Sequence, residues 1–290
     1  MQTVLPLEVI VVVDGSEDDT YQTAVSYKNK MGEMKLNVIR QNHQGAGAAR
    51  NRALEESSGT YIAFLDADDE WLPEKLDRTL FHLNDGEYSL ISHNVRVKSG
   101  EDERVVDCVR HFNPNLADHF VSINRRGYIC TSTVVAKRSS VVKAGGFDDT
   151  LPTAQDFDLW LSILKVPGAQ LLIFDEPLTR NYITEGSITG HTARRLNSCL
   201  RIAMRYIPEL KKRTGPTYLS LWFRIIAIHL EALTAYRNLG LKFWRKSSSY
   251  HHRRTPPLSG GIHLNFAAKL SNNVGPAHIK AFFDLEKIKC

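Results

Sequence analysis

The side chains best suited to chemistry are concentrated in the segment FLDADDEW, which contains an acid cluster of Asp66, Asp68, Asp69 and Glu70. Clustered carboxylates repel one another and are costly to remove from water, so the acid cluster indicates a bound cation or a cationic partner. Carboxylate oxygens suit Mg²⁺ or Mn²⁺, which usually bind through one or two carboxylates together with substrate phosphates. The alternative is a solvated turn whose acids begin the next helix, and the segment alone leaves both interpretations open.

The elements around the acid cluster predict an α/β fold with a mostly parallel, Rossmann-like sheet flanked by helices. The apolar, β-branched run 7–13 is typical of a buried strand, and Asp14 follows it at a turn. Further strands are expected at 35–40 and 60–65, alternating with helices at 18–31 and 45–57. Because ligands of open α/β sheets bind beyond the carboxyl ends of the strands, Asp14 and the acid cluster are expected at one crevice.

Later segments predict four more elements. A helix is expected from Trp71 to His82, two strands between Glu87 and Val106, and a helix over Gln155–Leu164. In that last helix, Asp156 and Asp158 would point about 200° apart, so only one of them can face a bound sugar.

Charge divides the chain into two parts. Residues 1–190 contain 19 Lys and Arg against 28 Asp and Glu, whereas residues 191–290 contain 18 against 4. The resulting net charges of −9 and +14 sum to the +5 of the whole chain and predict an acidic body with a basic extension. The four cysteines form no Cys-x-x-Cys pair, which favours a reducing compartment, and no secretion signal opens the sequence.

Five motifs resemble family 2 glycosyltransferases in their order and spacing. They are VIVVVDGSEDDT at 9–20, NHQGAGAARNRAL at 42–54, GTYIAFLDADDEWLPEKL at 59–76, GGFD at 145–148 and QDFDLW at 155–160. The resemblance implies a GT-A type fold and transfer of a sugar from a nucleoside-diphosphate sugar to a hydroxyl of a glycan, polysaccharide or lipid-linked acceptor. The segment 131–138 resembles the strand that lines the acceptor side in this family.

The resemblance also implies roles for individual residues. Asp14 would hydrogen-bond the nucleotide base, and Arg50 would approach the sugar nucleotide. Asp66 and Asp68 match the Asp-x-Asp motif, which holds a divalent cation, Mn²⁺ or Mg²⁺; the first acid also lies near the ribose and sugar. Asp156 would be the general base, leaving Asp158 a structural role.

These roles are chemically consistent with one another. A metal can neutralise charge on a departing nucleoside diphosphate while a carboxylate on the opposite side takes a proton from the acceptor hydroxyl. A single in-line displacement of that kind inverts the anomeric centre. The alternative from another functional class is a catalytically inactive glycosyltransferase-like fold that binds a partner.

Three positions depart from the family pattern. Val13 replaces the first of two acids, and Thr184 stands where a histidine is often found. Nothing before Val9 corresponds to the family's first strand and helix, and that strand normally lies inside the sheet. We therefore expect residues 1–190 to form an N-terminally incomplete transferase domain.

The basic extension, residues 191–290, is expected to be mostly helical, with helices at 191–206 and 216–239 and a linker near 246–261. One face of the second helix is apolar; its residues are Leu219, Trp222, Phe223, Ile226, Leu230 and Leu233. This face either packs on the catalytic domain or lies at an anionic membrane, which leaves a cytoplasmic protein with or without peripheral membrane contact. No nucleic-acid-binding module is recognisable.

One segment also resembles the fingerprint of a different enzyme class. The segment Gly45–Arg50 begins like the dinucleotide-binding fingerprint G-x-G-x-x-G. Arg50 replaces its third glycine, and that fingerprint gives no role to Asp68 or Asp69, so the sequence disfavours a dinucleotide enzyme.

Overall fold

The computed structural model describes residues 2–32, 34–116, 118–183, 192–213, 217–248 and 279–285. Strands are β1 Glu8–Asp14, β2 Lys35–Gln41, β3 Tyr61–Asp66, β4 Asp69–Trp71, β5 Leu90–Ser99, β6 Asp102–Val106, β7 Val135–Lys137, β8 Leu171–Tyr182 and β9 Ile279–Leu285. Helices are α1 Thr20–Ser26, α2 Ala46–Glu56, α3 Lys75–Asp85, α4 His119–Arg125, α5 Arg138–Lys143, α6 Gln155–Leu164, α7 Thr192–Arg205, α8 Ile207–Lys211 and α9 Thr217–Ser248.

The strands of the described residues form one sheet with the order β2-β1-β9-β3-β7-β5-β8-β4, and β6 pairs with β5. β1 runs parallel to β2, and β5 runs parallel to β8. β7, β9, β4 and β6 run antiparallel to the strands they pair with. The expected α/β class is confirmed; within it, the sheet is mixed in direction.

The two faces of β1 explain why its sequence is a continuous apolar run. Ile10 and Val12 belong to the main core, which contains apolar residues of α2 and α6. Val9, Val11 and Val13 face the other way, into a smaller core with residues of α1 and β2. Strand residues alternate between faces, so a strand covered on both sides must be apolar at every position. Val13, which replaces a family acid, is part of this second core.

Most expected elements of the first 165 residues are present, and two expectations are wrong. No helix begins at Trp71: Trp71 ends β4, because Asp69–Trp71 pairs with β8, and α3 begins at Lys75. In the segment 131–138, only Val135–Lys137 is a strand, while Thr131–Thr133 forms a 3₁₀ turn. In both segments, hydrogen bonding to strands distant in sequence decides which residues form a strand, and local residue spacing does not reveal that pairing.

The extension differs from its expected arrangement. α9 continues to Ser248, into the predicted linker, whose remainder lies outside the described residues. It packs against α4, α7 and α8 through buried residues spaced four apart: Ser220, Arg224, Ile228 and Ala232. The apolar face defined above is instead 49–63% exposed at every one of its six residues. The face that contains Arg224, and not the apolar face, is therefore the one that packs on the domain.

Candidate active site

Arg50 joins two of the family motifs. It projects from α2, is 6% exposed, and donates a hydrogen bond from Nη2 to Asp66 Oδ1 at 2.8 Å. Its guanidinium lies 5.3 Å from the centroid of the Phe147 ring. Burial alone would lower the pKa of Arg50, but the charges of Asp66 and Asp156 raise it overall. One buried cation thus contacts both the carboxyl end of β3 and the Phe147 ring of the Gly-Gly-Phe-Asp motif.

The acid cluster separates into two pairs. Asp66 and Asp68 are partly exposed, whereas Asp69 and Glu70 are buried in β4. Glu70 Oε2 accepts hydrogen bonds from Arg180 Nη1 and the Tyr182 hydroxyl, both at 2.8 Å. Asp69 and Glu70 therefore support the sheet, and Asp66 and Asp68 are the members of the acid cluster that reach the surface.

Ser132 is the central contact of this region. Its hydroxyl donates to Asp69 Oδ2 at 2.5 Å and accepts from the Asp66 N–H at 3.0 Å. Its carbonyl accepts from Trp71 Nε1 at 2.7 Å and from the Thr179 hydroxyl at 3.1 Å. Sequence analysis missed this residue, whose only signal is its place in the polar run Thr-Ser-Thr before β7. Ser132 therefore fixes both the backbone of Asp66 and the side chain of the buried Asp69.

Asp14 is fully buried at the end of β1. Its carboxylate accepts hydrogen bonds from the N–H groups of Gln44 and Gly45, both at 2.8 Å, and from Gln41 Nε2 at 2.9 Å. These contacts fix the loop that leads into α2, the helix that carries Arg50. Contact with the nucleotide base remains a prediction for Asp14; what the geometry shows is a residue that positions α2.

Asp156 lies in the first turn of α6 and is half-buried. Its Oδ2 accepts a hydrogen bond from the Thr131 hydroxyl at 2.7 Å. The residue that precedes the helix, Ala154, has a φ of 61°, the one non-glycine positive φ among the described residues. A non-glycine residue in this region stores strain, of order 1–3 kcal/mol, and such residues concentrate at functional sites.

Asp158 points away from this site, as the helical spacing predicts. Its Oδ2 accepts from Arg205 Nη1 at 2.7 Å, and its carbonyl accepts from the Tyr206 hydroxyl at 3.0 Å. Arg205 also contacts Asp148, with 2.5 Å between Nη2 and Oδ2. Burial raises the pKa of Asp158 despite the charge of Arg205. Asp158 thus attaches α7 to α6.

Asn51 connects α2 to the Gly-Gly-Phe-Asp motif. Its Nδ2 donates to the Phe147 carbonyl and its Oδ1 accepts from the Phe147 N–H, both at 2.8 Å. Gly146 has a φ of 73°, and a Cβ there would lie 2.6 Å from Asn51 Oδ1. Glycine at this position therefore allows both the turn and the close approach of α2.

A cavity of about 710 Å³ lies between α7, α9 and the segment before β7. Its lining includes Arg126, Arg195, Leu196, Ile228 and Glu231. Burial lowers the pKa of Arg195, but nearby groups that include the carboxylates of Glu231 and Asp156 raise it overall. The lining residue Gly127 lies against Phe157, the residue after Asp156: a Cβ on Gly127 would be 3.1 Å from Phe157 Cδ2. Sequence analysis did not single out Arg195.

Arg224 lies behind the cavity wall: its Nη1 is 3.7 Å from the position of a Cβ on the lining residue Gly127, and its guanidinium carbon is 4.3 Å from the Phe157 ring centroid. It is 2% exposed. Within the described ranges, its Nε and Nη1 have no hydrogen-bond partner. Burial lowers its pKa, because a desolvated charge is costly. A cation left in this state is suited to an anionic group.

No three His, Cys, Asp or Glu side chains converge as a metal cage among the residues that the structure describes. A magnesium ion that bridges substrate phosphates needs only one or two protein carboxylates, and Asp66 and Asp68 could supply them. The metal therefore stays a prediction. Thr184, where the family often has a histidine, lies outside the described residues.

Comparison with known proteins identifies the family. Residues 1–141 match the family model described as glycosyl transferase family 2. TuaG of Bacillus subtilis, a putative teichuronic acid biosynthesis glycosyltransferase, is 30% identical over 186 residues, which cover 63% of this chain and 70% of that protein. The chain belongs to glycosyl transferase family 2. This assignment confirms the resemblance found in the five motifs.

Other family 2 relatives extend the comparison. WfaP of Escherichia coli, a UDP-Glc:α-D-GlcNAc-diphosphoundecaprenol β-1,3-glucosyltransferase, is 30% identical over 57% of this chain and 61% of that protein. An uncharacterized glycosyltransferase of Rickettsia felis is 29% identical over 66% of this chain. The chain spans about a third of that rickettsial protein's length, 32%.

Solved structures share the fold. The crystal structure of S. aureus TarS residues 1–349 in complex with UDP-GlcNAc has a TM-score of 0.57 and 16% identity. The match covers 77% of this family 2 chain and 63% of the TarS chain. At this identity the likeness establishes the fold, which is of the GT-A type.

Proposed function

We propose that the protein is a glycosyltransferase that moves a sugar from a nucleoside-diphosphate sugar to an acceptor hydroxyl. The observation that carries the proposal is the adjacent pair Thr131 and Ser132: the Thr131 hydroxyl donates to Asp156 Oδ2 at 2.7 Å, and the Ser132 hydroxyl accepts from the Asp66 N–H at 3.0 Å. This brings the metal motif and the candidate base, separated by 90 residues in sequence, to one site. The UDP-sugars named for WfaP and TarS make a uridine-diphosphate sugar the first donor to test.

On the donor side, Asp66 and Asp68 are the proposed ligands of Mn²⁺ or Mg²⁺. The metal, when bound, would neutralise charge on the departing diphosphate. Arg50 contributes from the protein itself: its ion pair at 2.8 Å orients the Asp66 carboxylate, and its buried position keeps the charge fixed. Ser132 holds the Asp66 backbone by its hydroxyl. These contacts preorganise the donor side before substrate arrives.

On the acceptor side, Asp156 is the proposed general base. The Thr131 hydroxyl occupies one carboxylate oxygen, Oδ2, and thereby sets the orientation of the group. The proton of the acceptor hydroxyl would pass to Asp156 as the acceptor oxygen bonds to the anomeric carbon and the diphosphate leaves from the opposite face. This geometry inverts the anomeric configuration.

The cavity beside Asp156 is the proposed acceptor site. Arg126 and Arg195 supply positive charge and Leu196 and Ile228 supply apolar surface, a combination that suits an amphipathic anion. Buried Arg224 adds a further cation. WfaP takes a diphosphoundecaprenol-linked sugar according to its name. We therefore propose a lipid-linked diphosphate acceptor in preference to a soluble glycan.

The exposed apolar face of α9 extends this proposal to the membrane. The window Tyr218–Ala235 has a mean hydropathy of 1.2 and is 22% buried, so by length and composition it is a candidate membrane span. Because α9 also packs against α4, α7 and α8, we propose peripheral contact of its outer face with an anionic bilayer from the cytoplasmic side. Polysaccharide or cell-envelope synthesis would place the acceptor there.

The deciding experiment measures release of UDP and labelled product from UDP-glucose and UDP-GlcNAc, with and without Mn²⁺ or Mg²⁺, using a polyprenyl-diphosphate sugar acceptor. We expect metal-dependent transfer in the wild type and its loss in Asp68→Asn. Asp102→Asn, which changes an exposed aspartate in β6, is the matched control and should retain activity. A folded wild type that neither binds nor hydrolyses any donor would refute the transferase; binding without transfer would favour the non-catalytic alternative.

A second experiment addresses the membrane. Flotation with vesicles of 30% phosphatidylglycerol should recover the wild type, and the double change Trp222→Ser with Phe223→Ser should reduce recovery by about tenfold. Phe81→Ser, which changes an exposed phenylalanine on α3, is the control. Equal recovery of both variants would contradict membrane contact through α9.

A further inference from the structure

The cavity between α7 and α9 opens onto the exposed apolar face of α9. Leu230 belongs to that face, is 57% exposed and also lines the cavity. Ile228 and Ala232 line the same cavity and are buried, so α9 supplies both its floor and part of its rim. The apolar surface inside the cavity is therefore continuous, at Leu230, with the outer face of the helix.

The opposite end of the cavity lies next to α6. Gly127 lines this end, and the position of a Cβ on Gly127 is 3.1 Å from Phe157 Cδ2. Phe157 follows Asp156, the proposed general base, in the first turn of α6. The cavity thus extends from the outer face of α9 to the neighbourhood of the candidate base.

Arginine is the dominant charged residue around this cavity. Arg126 and Arg195 line it, and Arg224 lies behind the Gly127 wall with Nε and Nη1 unpartnered within the described part of the chain. Among the described lining residues, Glu231 is the single carboxylate. The surplus of positive charge suits a dianion such as a diphosphate, and the apolar surface suits a hydrocarbon chain attached to it.

Glu231 pairs with Arg195 across the rim of the cavity. Its Oε2 lies 3.5 Å from Arg195 Nη2, and both side chains are partly exposed to water. An exposed ion pair of this length contributes little to stability, because water screens both charges. Carboxylates and phosphates bind the same guanidinium N–H groups, so Glu231 and an anionic ligand would compete for Arg195.

We propose that this cavity binds a prenyl diphosphate in one orientation: the diphosphate replaces Glu231 at Arg195, and the prenyl chain leaves across Leu230 onto the apolar face of α9. A sugar carried by the diphosphate then lies on the Gly127 side, towards Asp156. Glu231 is an internal competitor that keeps Arg195 paired until the ligand arrives. The inference rests on the proposed acceptor and adds its orientation, its route of entry and the residue that it displaces.

The test is titration of the full-length protein with geranyl diphosphate, with inorganic pyrophosphate as the head group alone. Divalent metal is omitted so that neither ligand binds at the proposed donor site through a metal. Glu231→Gln should tighten both ligands about threefold, because it removes a competitor held by one exposed ion pair. Glu55→Gln changes an exposed helix glutamate 4.0 Å from Arg52, makes the same change in net charge and should leave both affinities unchanged.

Two further variants separate the head group from the chain. Arg195→Gln should weaken geranyl diphosphate and pyrophosphate about tenfold each, since it removes a charged hydrogen-bond donor. Leu230→Ser should weaken geranyl diphosphate about fivefold and leave pyrophosphate unchanged, because only the chain loses apolar contact. Leu219→Ser, which changes an exposed residue at the far end of the same apolar face, is the control and should change neither affinity.

Each part of the inference has a result that overturns it. Weaker or unchanged binding in Glu231→Gln would overturn the competition. No effect of Leu230→Ser on geranyl diphosphate, or an equal effect on both ligands, would overturn the route of the chain. No binding of geranyl diphosphate by the folded wild type would overturn the site.

These results are separable from the fate of the proposed function. If geranyl diphosphate binds with the expected pattern and no sugar is transferred to any acceptor, the site stands and the transferase fails. If sugar is transferred to a soluble glycan with a KM that neither Glu231→Gln nor Leu230→Ser changes, the transferase stands and the prenyl diphosphate site is overturned.

Discussion

The acid cluster at the end of β3 and the first turn of α6 each contain acids that face the candidate site and acids that make structural contacts. The two regions separate these two groups of acids in different ways. At the strand end, Asp69 and Glu70 are buried because β4 pairs with β8, while Asp66 and Asp68 stay at the crevice. In α6, the helical turn alone directs Asp156 towards Thr131 and Asp158 towards Arg205. Tertiary pairing decides the first separation and local geometry decides the second.

The largest expected effect is on kcat and tests the roles of the two acids in α6. Asp156→Asn should lower kcat by about 10²–10⁴, the usual contribution of a general base, and should leave UDP affinity within about twofold. Asp158→Asn should leave kcat near the wild-type value at a temperature where it is folded, because Asp158 faces α7. Turnover and isothermal titration measure the two quantities. Equal loss of kcat in both variants would contradict the division of roles in α6.

The next largest effect concerns the acid cluster at the end of β3 and is measured as a change in the free energy of unfolding. Ser132→Ala leaves a buried Asp69 oxygen and the Asp66 N–H without their shared partner, which should cost about 1–3 kcal/mol. Urea unfolding measures the loss, with Ser99→Ala, an exposed serine of β5, as control. A change below about 0.5 kcal/mol would show that the buried acids do not depend on Ser132.

A smaller effect tests how Asp156 is oriented. Thr131→Val preserves shape but removes the hydroxyl that donates to Oδ2, and we expect kcat to fall about tenfold with little change in Tm. Thr131→Ser should restore most of the activity because it keeps the donor. If the serine variant is as slow as the valine variant, the hydroxyl does not position the base.

The smallest effect is the pH dependence of stability that Asp158 contributes. The pKa of Asp158 is raised above the unfolded value, so the folded chain binds its proton more tightly and ionisation costs stability as pH rises above about 4. Wild type should therefore lose stability relative to Asp158→Asn between pH 4 and pH 7. Urea unfolding at both values gives the difference. If the wild type instead gains stability relative to Asp158→Asn over this pH range, the charge of Arg205 outweighs burial in setting the pKa of Asp158.

Much of the candidate site could be predicted because its motifs are local. The order of strands and helices, the position of the acid cluster at the end of β3 and the opposite directions of Asp156 and Asp158 all follow from hydrophobic spacing and helical geometry. The family followed from five short segments, and comparison confirmed it. The roles of Asp14, Asp66, Asp68 and Asp156 remain predictions.

The tertiary structure decided the rest. Ser132 contacts Asp69 from 63 residues away, and Arg180 contacts Glu70 from 110 residues away, so neither pairing leaves a periodic signal in sequence. The sequence left open whether the apolar face of α9 packs on the domain, because helical spacing defines faces without naming their neighbours; in the structure that face is exposed. The sequence by itself determined the elements and the motif residues. Only the tertiary structure placed β9 between β1 and β3, because backbone hydrogen bonds form the ladder and almost any extended segment can supply them.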